Sequence, residues 1–152
     1  MWPDELTKKS QMHILLVEDD VVDAEALQRA FRQHQFTAPV SVVKNGREAL
    51  AFLRKQCIRH GTARRYLILL DLNMPQMNGF EFLTALRQDE QLKQNIVFVL
   101  TTSKQDQDIR AAYDQQIAGY LLKAPGANNF EQLIALLKSY DQTIEFPPEV
   151  VF

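Results

Sequence analysis

The sequence predicts an α/β fold in which helices cover both faces of a parallel sheet, and two observations carry the prediction. Three short apolar runs, 13–17, 66–70 and 96–100, lack the strict alternation of a half-solvated strand and read as strands buried on both sides. Segments with helical spacing lie between them, so that two weaker strands complete five alternations of strand and helix. Such alternation implies right-handed crossovers and parallel strands.

The elements follow in order. After the run 13–17, Val22, Ala26, Leu27, Ala30 and Phe31 recur at helical spacing, and Asp19 or Asp20 can cap that helix. A weaker strand over 39–43 leads through a turn at Asn45-Gly46 into a second helix marked by Ala49, Leu50, Phe52 and Leu53. The run 66–70 precedes a third helix carrying Phe80, Leu83, Ala85 and Leu86, and Asn78-Gly79 before it suits a turn that needs positive φ. The run 96–100 precedes a fourth helix with Ile109, Ala112 and Tyr113. A weaker strand over 119–122 precedes a fifth with Phe130, Leu133, Ile134 and Leu137.

Composition narrows the functional classes. The 152 residues suit one domain, and 46% hydrophobic with 24% charged residues is ordinary for a folded soluble chain. A formal charge of −2 argues against direct nucleic-acid binding. Cys57 is the only cysteine, which excludes an internal disulfide and a cysteine metal site. It reads as a half-buried small apolar residue of the second helix. No apolar run reaches the roughly 18 residues of a membrane span, and the first eleven residues lack a signal-peptide core. The expectation is a cytoplasmic protein with one domain over 12–142, an N-terminal extension over 1–11 and a C-terminal extension over 143–152.

In such sheets, ligands sit at the carboxyl ends of the strands. The first strand ends in Glu18-Asp19-Asp20, the third in Asp71, the fourth in Thr101-Thr102-Ser103 and the fifth in Lys123. Crowded carboxylates need a counter-charge, and a hard divalent cation such as Mg²⁺ takes oxygen ligands of this kind. An aspartate can also act as a nucleophile and form an aspartyl phosphate. Asp71, central in the strand order, is the nucleophile candidate. Glu18 and Asp19, with the backbone carbonyl of Asn73, are the further metal ligands. Lys123 can pair with a phosphate, and Thr101 can hydrogen-bond one of its oxygens.

Four blocks, 16–20, 70–79, 100–103 and 119–123, together resemble the receiver domain of response regulators. The similarity spans roughly 12–140, and the separations of 30 residues from Asp71 to Thr101 and 22 from Thr101 to Lys123 match that family. The resemblance implies a flavodoxin-like sheet of order 2-1-3-4-5, with phosphoryl transfer to Asp71 from a sensor histidine kinase. It implies Mg²⁺ held by Glu18, Asp19, Asp71 and the Asn73 carbonyl, with Lys123 on the phosphate. Thr101 would be the switch hydroxyl and Tyr120 the aromatic that follows it. The insertion around 59–65, the block 100–103 and the tail 143–148 further resemble single-domain regulators paired with bacterial phytochromes. That subgroup implies a phytochrome as the candidate kinase, and a homodimer through the fourth helix, fifth strand, fifth helix and tail. The chain departs from the family at Ala124-Pro125, where proline usually follows the lysine directly.

Blander readings stand beside these. Asp20 and Asp23 read as helix caps, Thr102 competes with Thr101, and Tyr120 reads equally as packing or as switch. His13, His34 and His60 have no ligand spacing, and the basic stretch 54–65 reads as a solvated loop. Among rival functions, an aspartyl-intermediate phosphatase of the haloacid-dehalogenase type needs an acid where Asn73 stands. A nucleotide-binding module lacks its glycine-rich cradle. A receiver-like scaffold that takes no phosphate would not need Glu18, Asp19, Asp71, Thr101 and Lys123 together.

Overall fold

A computed structural model describes residues 12–60, 62–63, 66–123, 130–147 and 150–151. The chain runs β1 (His13–Val17), α1 (Val21–Gln33), β2 (Val40–Val43), α2 (Gly46–His60), β3 (Thr62–Ala63), β4 (Tyr66–Leu70), α3 (Gly79–Gln88), β5 (Ile96–Thr101), α4 (Asp106–Asp114), β6 (Gly119–Leu122), α5 (Phe130–Thr143) and β7 (Val150–Val151). The main sheet has five parallel strands in the order β2-β1-β4-β5-β6, which is the expected 2-1-3-4-5 of a flavodoxin-like fold.

Residue period sorts the core into two layers. Leu15, Val17, Ile68, Leu70, Val97 and Val99 face one side, where α2, α3 and α4 cover them with Leu50, Leu53, Phe82, Leu86 and Ala112. Ile14, Leu16, Leu67, Leu69, Phe98 and Leu100 face the other, under Leu27 and Phe31 of α1 and Ile134 and Leu137 of α5. Every residue of β4 is buried, because this central strand has helices on both faces and a strand on each edge.

The helix starts carry their own chemistry. Asp20 caps α1, its carboxylate accepting from Val22 N at 2.9 Å and Asp23 N at 3.1 Å. Asn45 performs the same role for α2 by accepting from Glu48 N at 2.9 Å, so Asn45-Gly46 is a helix start and not a free-standing turn. Asn78 and Glu81 form a reciprocal capping box on α3. The expected positive φ therefore does not fall at Asn78-Gly79: Asn78 has φ −69°, and the left-handed residues are Gln76 and Met77 just before it. Gly79 is needed for a different reason, since a Cβ there would lie 2.7 Å from Leu72 Cα and 2.8 Å from the carbonyl oxygen of Asp71.

Other details depart from the expected pattern. Val22 and Tyr113 are exposed, while Phe82, absent from the predicted set, is fully buried. Cys57 is buried at 4% exposure rather than half-buried, because the second helix turns it into the core beside Tyr66 and Leu53. Two strands were not anticipated: β3 lies in the insertion and pairs antiparallel with β7 of the tail. The last helix extends one residue past the expected boundary at 142, and Phe146 beyond it is buried against Tyr140. Ala124-Pro125, the N-terminal extension and part of the insertion lie outside the described residues. Among the described residues, no helix is long and apolar enough to cross a membrane.

Candidate functional site

Ladder hydrogen bonds continue one residue beyond the strands and set the site. Glu18 N donates to Val43 O at 3.0 Å, Asp71 N to Val17 O at 3.1 Å, and Lys123 N to Thr101 O at 2.8 Å. Each bond fixes the first residue after a strand against its neighbour, so Glu18, Asp71 and Lys123 reach one edge of the sheet with restricted backbones. The edge is the carboxyl end, as expected from the strand order.

Glu18, Asp19 and Asp71 each offer a carboxylate oxygen, and these lie within 4.8 Å of one another. Glu18 is buried, Asp71 partly buried and Asp19 exposed. Lys123 reaches into the group, donating to Glu18 through a short contact, to Asp23 at 3.2 Å, and lying 3.7 Å from Asp71. One ammonium cannot neutralise three carboxylates. Burial and the adjacent Asp71 push Glu18 up to about 8, with Lys123 pulling the other way. Burial would lower the Lys123 ammonium, but the hydrogen bond to Glu18 and the charge of Asp71 hold it above its ordinary value.

A divalent cation fits this donor set. All three side chains are hard oxygen donors, they converge from two strand ends, and their excess negative charge needs a cation. Asn73, the residue expected to add a backbone carbonyl, is exposed in the loop after β4, and its N–H donates to Asp71 Oδ1 at 3.3 Å.

Thr101 closes β5 with no exposed surface, and its Oγ1 accepts weakly from Ser103 N at 3.4 Å. Thr102, the competing hydroxyl, is exposed. Tyr120 is partly buried on β6 and donates its hydroxyl to the Ser103 carbonyl at 2.9 Å, while burial raises its phenol above the ordinary value. Ser103 in turn donates its own hydroxyl to Asp108 of α4 at 2.6 Å. Thr101, Ser103, Tyr120 and the start of α4 thus form one connected unit beside the carboxylates.

Sequence reasoning missed two members. Asp23 was read as a cap, yet its side chain faces Lys123. Its place in the first turn of the helix that directly follows Glu18-Asp19-Asp20 was a usable signal. Asp108 carried no signal, because only the folded loop brings it to Ser103.

Comparison with known proteins settles the family. The response regulator receiver domain matches residues 14–136. The chain belongs to the response regulator receiver family. It is 34% identical over 139 residues to a probable methanogenesis regulatory protein, FilR2, of Methanothrix harundinacea, covering 90% of this chain and 88% of that one. It is 33% identical over 127 residues to the response regulator Rcp1 of Synechocystis, covering 84% and 86%. The phosphorylated cyanobacterial phytochrome response regulator RcpA superposes with a TM-score of 0.77 at 31% identity, over 90% of this chain and 98% of that one. An Mn²⁺-bound form of Rcp1 gives 0.75 at 32% identity, over 89% and 98%. The protein is a receiver-domain response regulator of a two-component system.

Proposed function

We propose that this protein is a single-domain response regulator, with residues 12–142 as the receiver body, that accepts a phosphoryl group on Asp71 from a sensor histidine kinase. The observation that carries the reading is the convergence of Lys123 and the carboxylates of Glu18 and Asp19 on Asp71 at the carboxyl edge of the sheet. A carboxylate oxygen of Asp71 attacks phosphorus in line. The N–P bond of the donor phosphohistidine breaks, its electron pair stays on the imidazole nitrogen, and an acyl phosphate forms. Glu18, Asp19, Asp71 and the Asn73 carbonyl would hold Mg²⁺, which when bound offsets charge on the phosphoryl oxygens. Lys123 pairs with a phosphoryl oxygen, and the protein signals rather than turning over a substrate.

Readout runs through the connected unit. The Thr101 hydroxyl turns toward the phosphoryl group, the 101–105 loop moves with it, and Tyr120 repacks as its bond to the Ser103 carbonyl changes. The face formed by α4, β6 and α5 then differs between states. It already exposes Tyr113, Leu122 and Leu136, which suits a homodimer contact together with the tail. The likeness to the phytochrome response regulator RcpA favours a phytochrome as the first kinase to test, and the formal charge of −2 argues against direct nucleic-acid contact by a protein read here as cytoplasmic.

The test uses a phytochrome histidine kinase labelled on its histidine. Label is expected to pass to the wild-type protein in the presence of Mg²⁺ and not to Asp71→Asn. Label on Asp71→Asn would place the acceptor elsewhere. Sedimentation of the phosphorylated and unphosphorylated protein, with Leu122→Glu as the control, tests the dimer; a monomer throughout would remove it.

A further inference from the structure

We propose that Asp23 is a positioning residue for phosphoryl transfer, holding the Lys123 ammonium so that one of its N–H groups stays aimed at Asp71. The inference rests on the reading of Asp71 as acceptor and Lys123 as its phosphate partner. It concerns a residue outside both roles.

The geometry points to a tripod. Lys123 Nζ has three N–H groups and three carboxylates around it: Glu18 in short contact, Asp23 at 3.2 Å and Asp71 at 3.7 Å. The distance to Asp71 leaves that third N–H available for an oxygen arriving on Asp71. The other two anchor the head group from the first strand end and from the first turn of α1.

The two anchors are not equivalent. Glu18 is buried, lies within 4.8 Å of Asp19 and Asp71, and its second oxygen faces Asp20 N at 3.5 Å. It belongs to the acidic group itself. Asp23 lies outside that group, its side chain is about half exposed, and its carboxylate has Lys123 as its hydrogen-bonding partner. Asp23 is itself fixed, because its backbone N–H is bound by the Asp20 cap at 3.1 Å. A carboxylate on a capped helix start is thereby devoted to one ammonium, across 100 residues of chain. When Glu18 is engaged by other charges, Asp23 is the anchor that keeps a flexible four-carbon side chain over the acceptor.

A first-turn acid also interacts favourably with the helix dipole, so a loss of thermal stability in an Asp23 variant decides nothing. Two other readouts do. The first is the rate of phosphoryl acceptance from acetyl phosphate with Mg²⁺, compared for wild type, Asp23→Ala, Asp23→Glu and each in a Lys123→Ala background. Asp23→Ala is expected to slow acceptance about five- to tenfold, Asp23→Glu to recover more than half of the loss, and the Lys123→Ala background to erase the difference. Equal slowing with and without Lys123, or no slowing, overturns the proposal.

The second readout needs no phosphoryl donor. Hydrogen exchange of the Lys123 ammonium, followed by NMR in the metal-free protein, is expected to quicken at least about fivefold in Asp23→Ala and to return toward wild type in Asp23→Glu. Unchanged exchange overturns the proposal even where Lys123→Ala accepts too slowly for comparison. A wild-type protein that takes no label on Asp71 contradicts the acceptor reading instead, and the exchange measurement still decides the role of Asp23.

Discussion

Replacing Gly79 by alanine tests whether the start of α3 holds the acceptor loop in place. A Cβ at this position would lie 2.7 Å from Leu72 Cα, 2.8 Å from the Asp71 carbonyl oxygen and 2.9 Å from Leu72 Cδ2. Two of these atoms are backbone and cannot rotate away. Ordinary contact begins near 3.4 Å, so helix and loop must separate by roughly 0.7 Å, and overpacking of this kind costs about 1–3 kcal/mol. Alanine recovers about 1 kcal/mol through its better helix propensity, leaving a net loss of about 0–2 kcal/mol, or at most roughly 8 °C in Tm at this chain length. The functional effect is larger, because a 1 Å displacement of a reacting group costs on the order of a hundredfold. Gly79→Ala is therefore expected to accept phosphate about ten- to a hundredfold more slowly while remaining folded.

Gly119→Ala is the matched control. Its Cβ would meet Phe98 Cε1 at 2.9 Å and Cδ1 at 3.0 Å, a comparable crowding against a ring edge, away from the acceptor. It is expected to lose about 1 kcal/mol with acceptance changed by less than about twofold. Calorimetry and acetyl phosphate labelling of both variants give the comparison. Wild-type acceptance by Gly79→Ala, or an equal loss in Gly119→Ala, would refute the coupling of α3 to Asp71.

Three other perturbations have definite signs. Glu18 lies near 4.5 when unfolded and is raised to about 8 in the metal-free fold, so that fold holds the extra proton, and stability declines as pH rises through this window. Melting between about pH 5 and 8 is expected to show the decline in wild type and a flatter profile in Glu18→Gln; parallel profiles would count against it. Arg87 donates to the carbonyls of Gln115, Lys93, Asn95 and Gln116 at 2.6–3.0 Å, tying the loops after α3 and α4. Arg87→Met is expected to cost about 2–4 kcal/mol in denaturant unfolding, since those acceptors lose charged donors, whereas a loss below about 1 kcal/mol would show the carbonyls satisfied otherwise. Burial, first, and the charge of Asp89 raise the Cys57 thiol, so a thiol reagent is expected to label it only on unfolding; rapid labelling of the folded protein would contradict its placement.

Much of the fold was legible because the decisive signals are local. The runs 13–17, 66–70 and 96–100 needed no partner to be read as buried strands, and helical period supplied the elements between them. The site was legible for the same reason: parallel strands deliver their terminal residues to one edge, so Glu18, Asp71 and Lys123 could be brought together from topology alone. What failed depended on tertiary context. The pairing of β3 with β7 joins two-residue segments, too short for a periodic signal, whose registered partners, Thr62 with Val151 and Ala63 with Val150, are 89 and 87 positions apart. Asn78-Gly79 carried the composition of a positive-φ turn, but the capping box claimed Asn78, and close packing on Leu72 claimed Gly79. Asp23 looked like a cap because its partner lies 100 residues further along the chain.

Phosphoacceptance at Asp71 is tested most directly by trapping the acyl phosphate. The protein is treated with acetyl phosphate and Mg²⁺, reduced with borohydride to convert a phosphorylated aspartate to homoserine, and mapped by peptide mass spectrometry. Homoserine at position 71 alone, absent when Mg²⁺ is withheld and absent in Asp71→Asn, is the expected result. Homoserine at another acid, or none in a protein that a histidine kinase also fails to label, would contradict it.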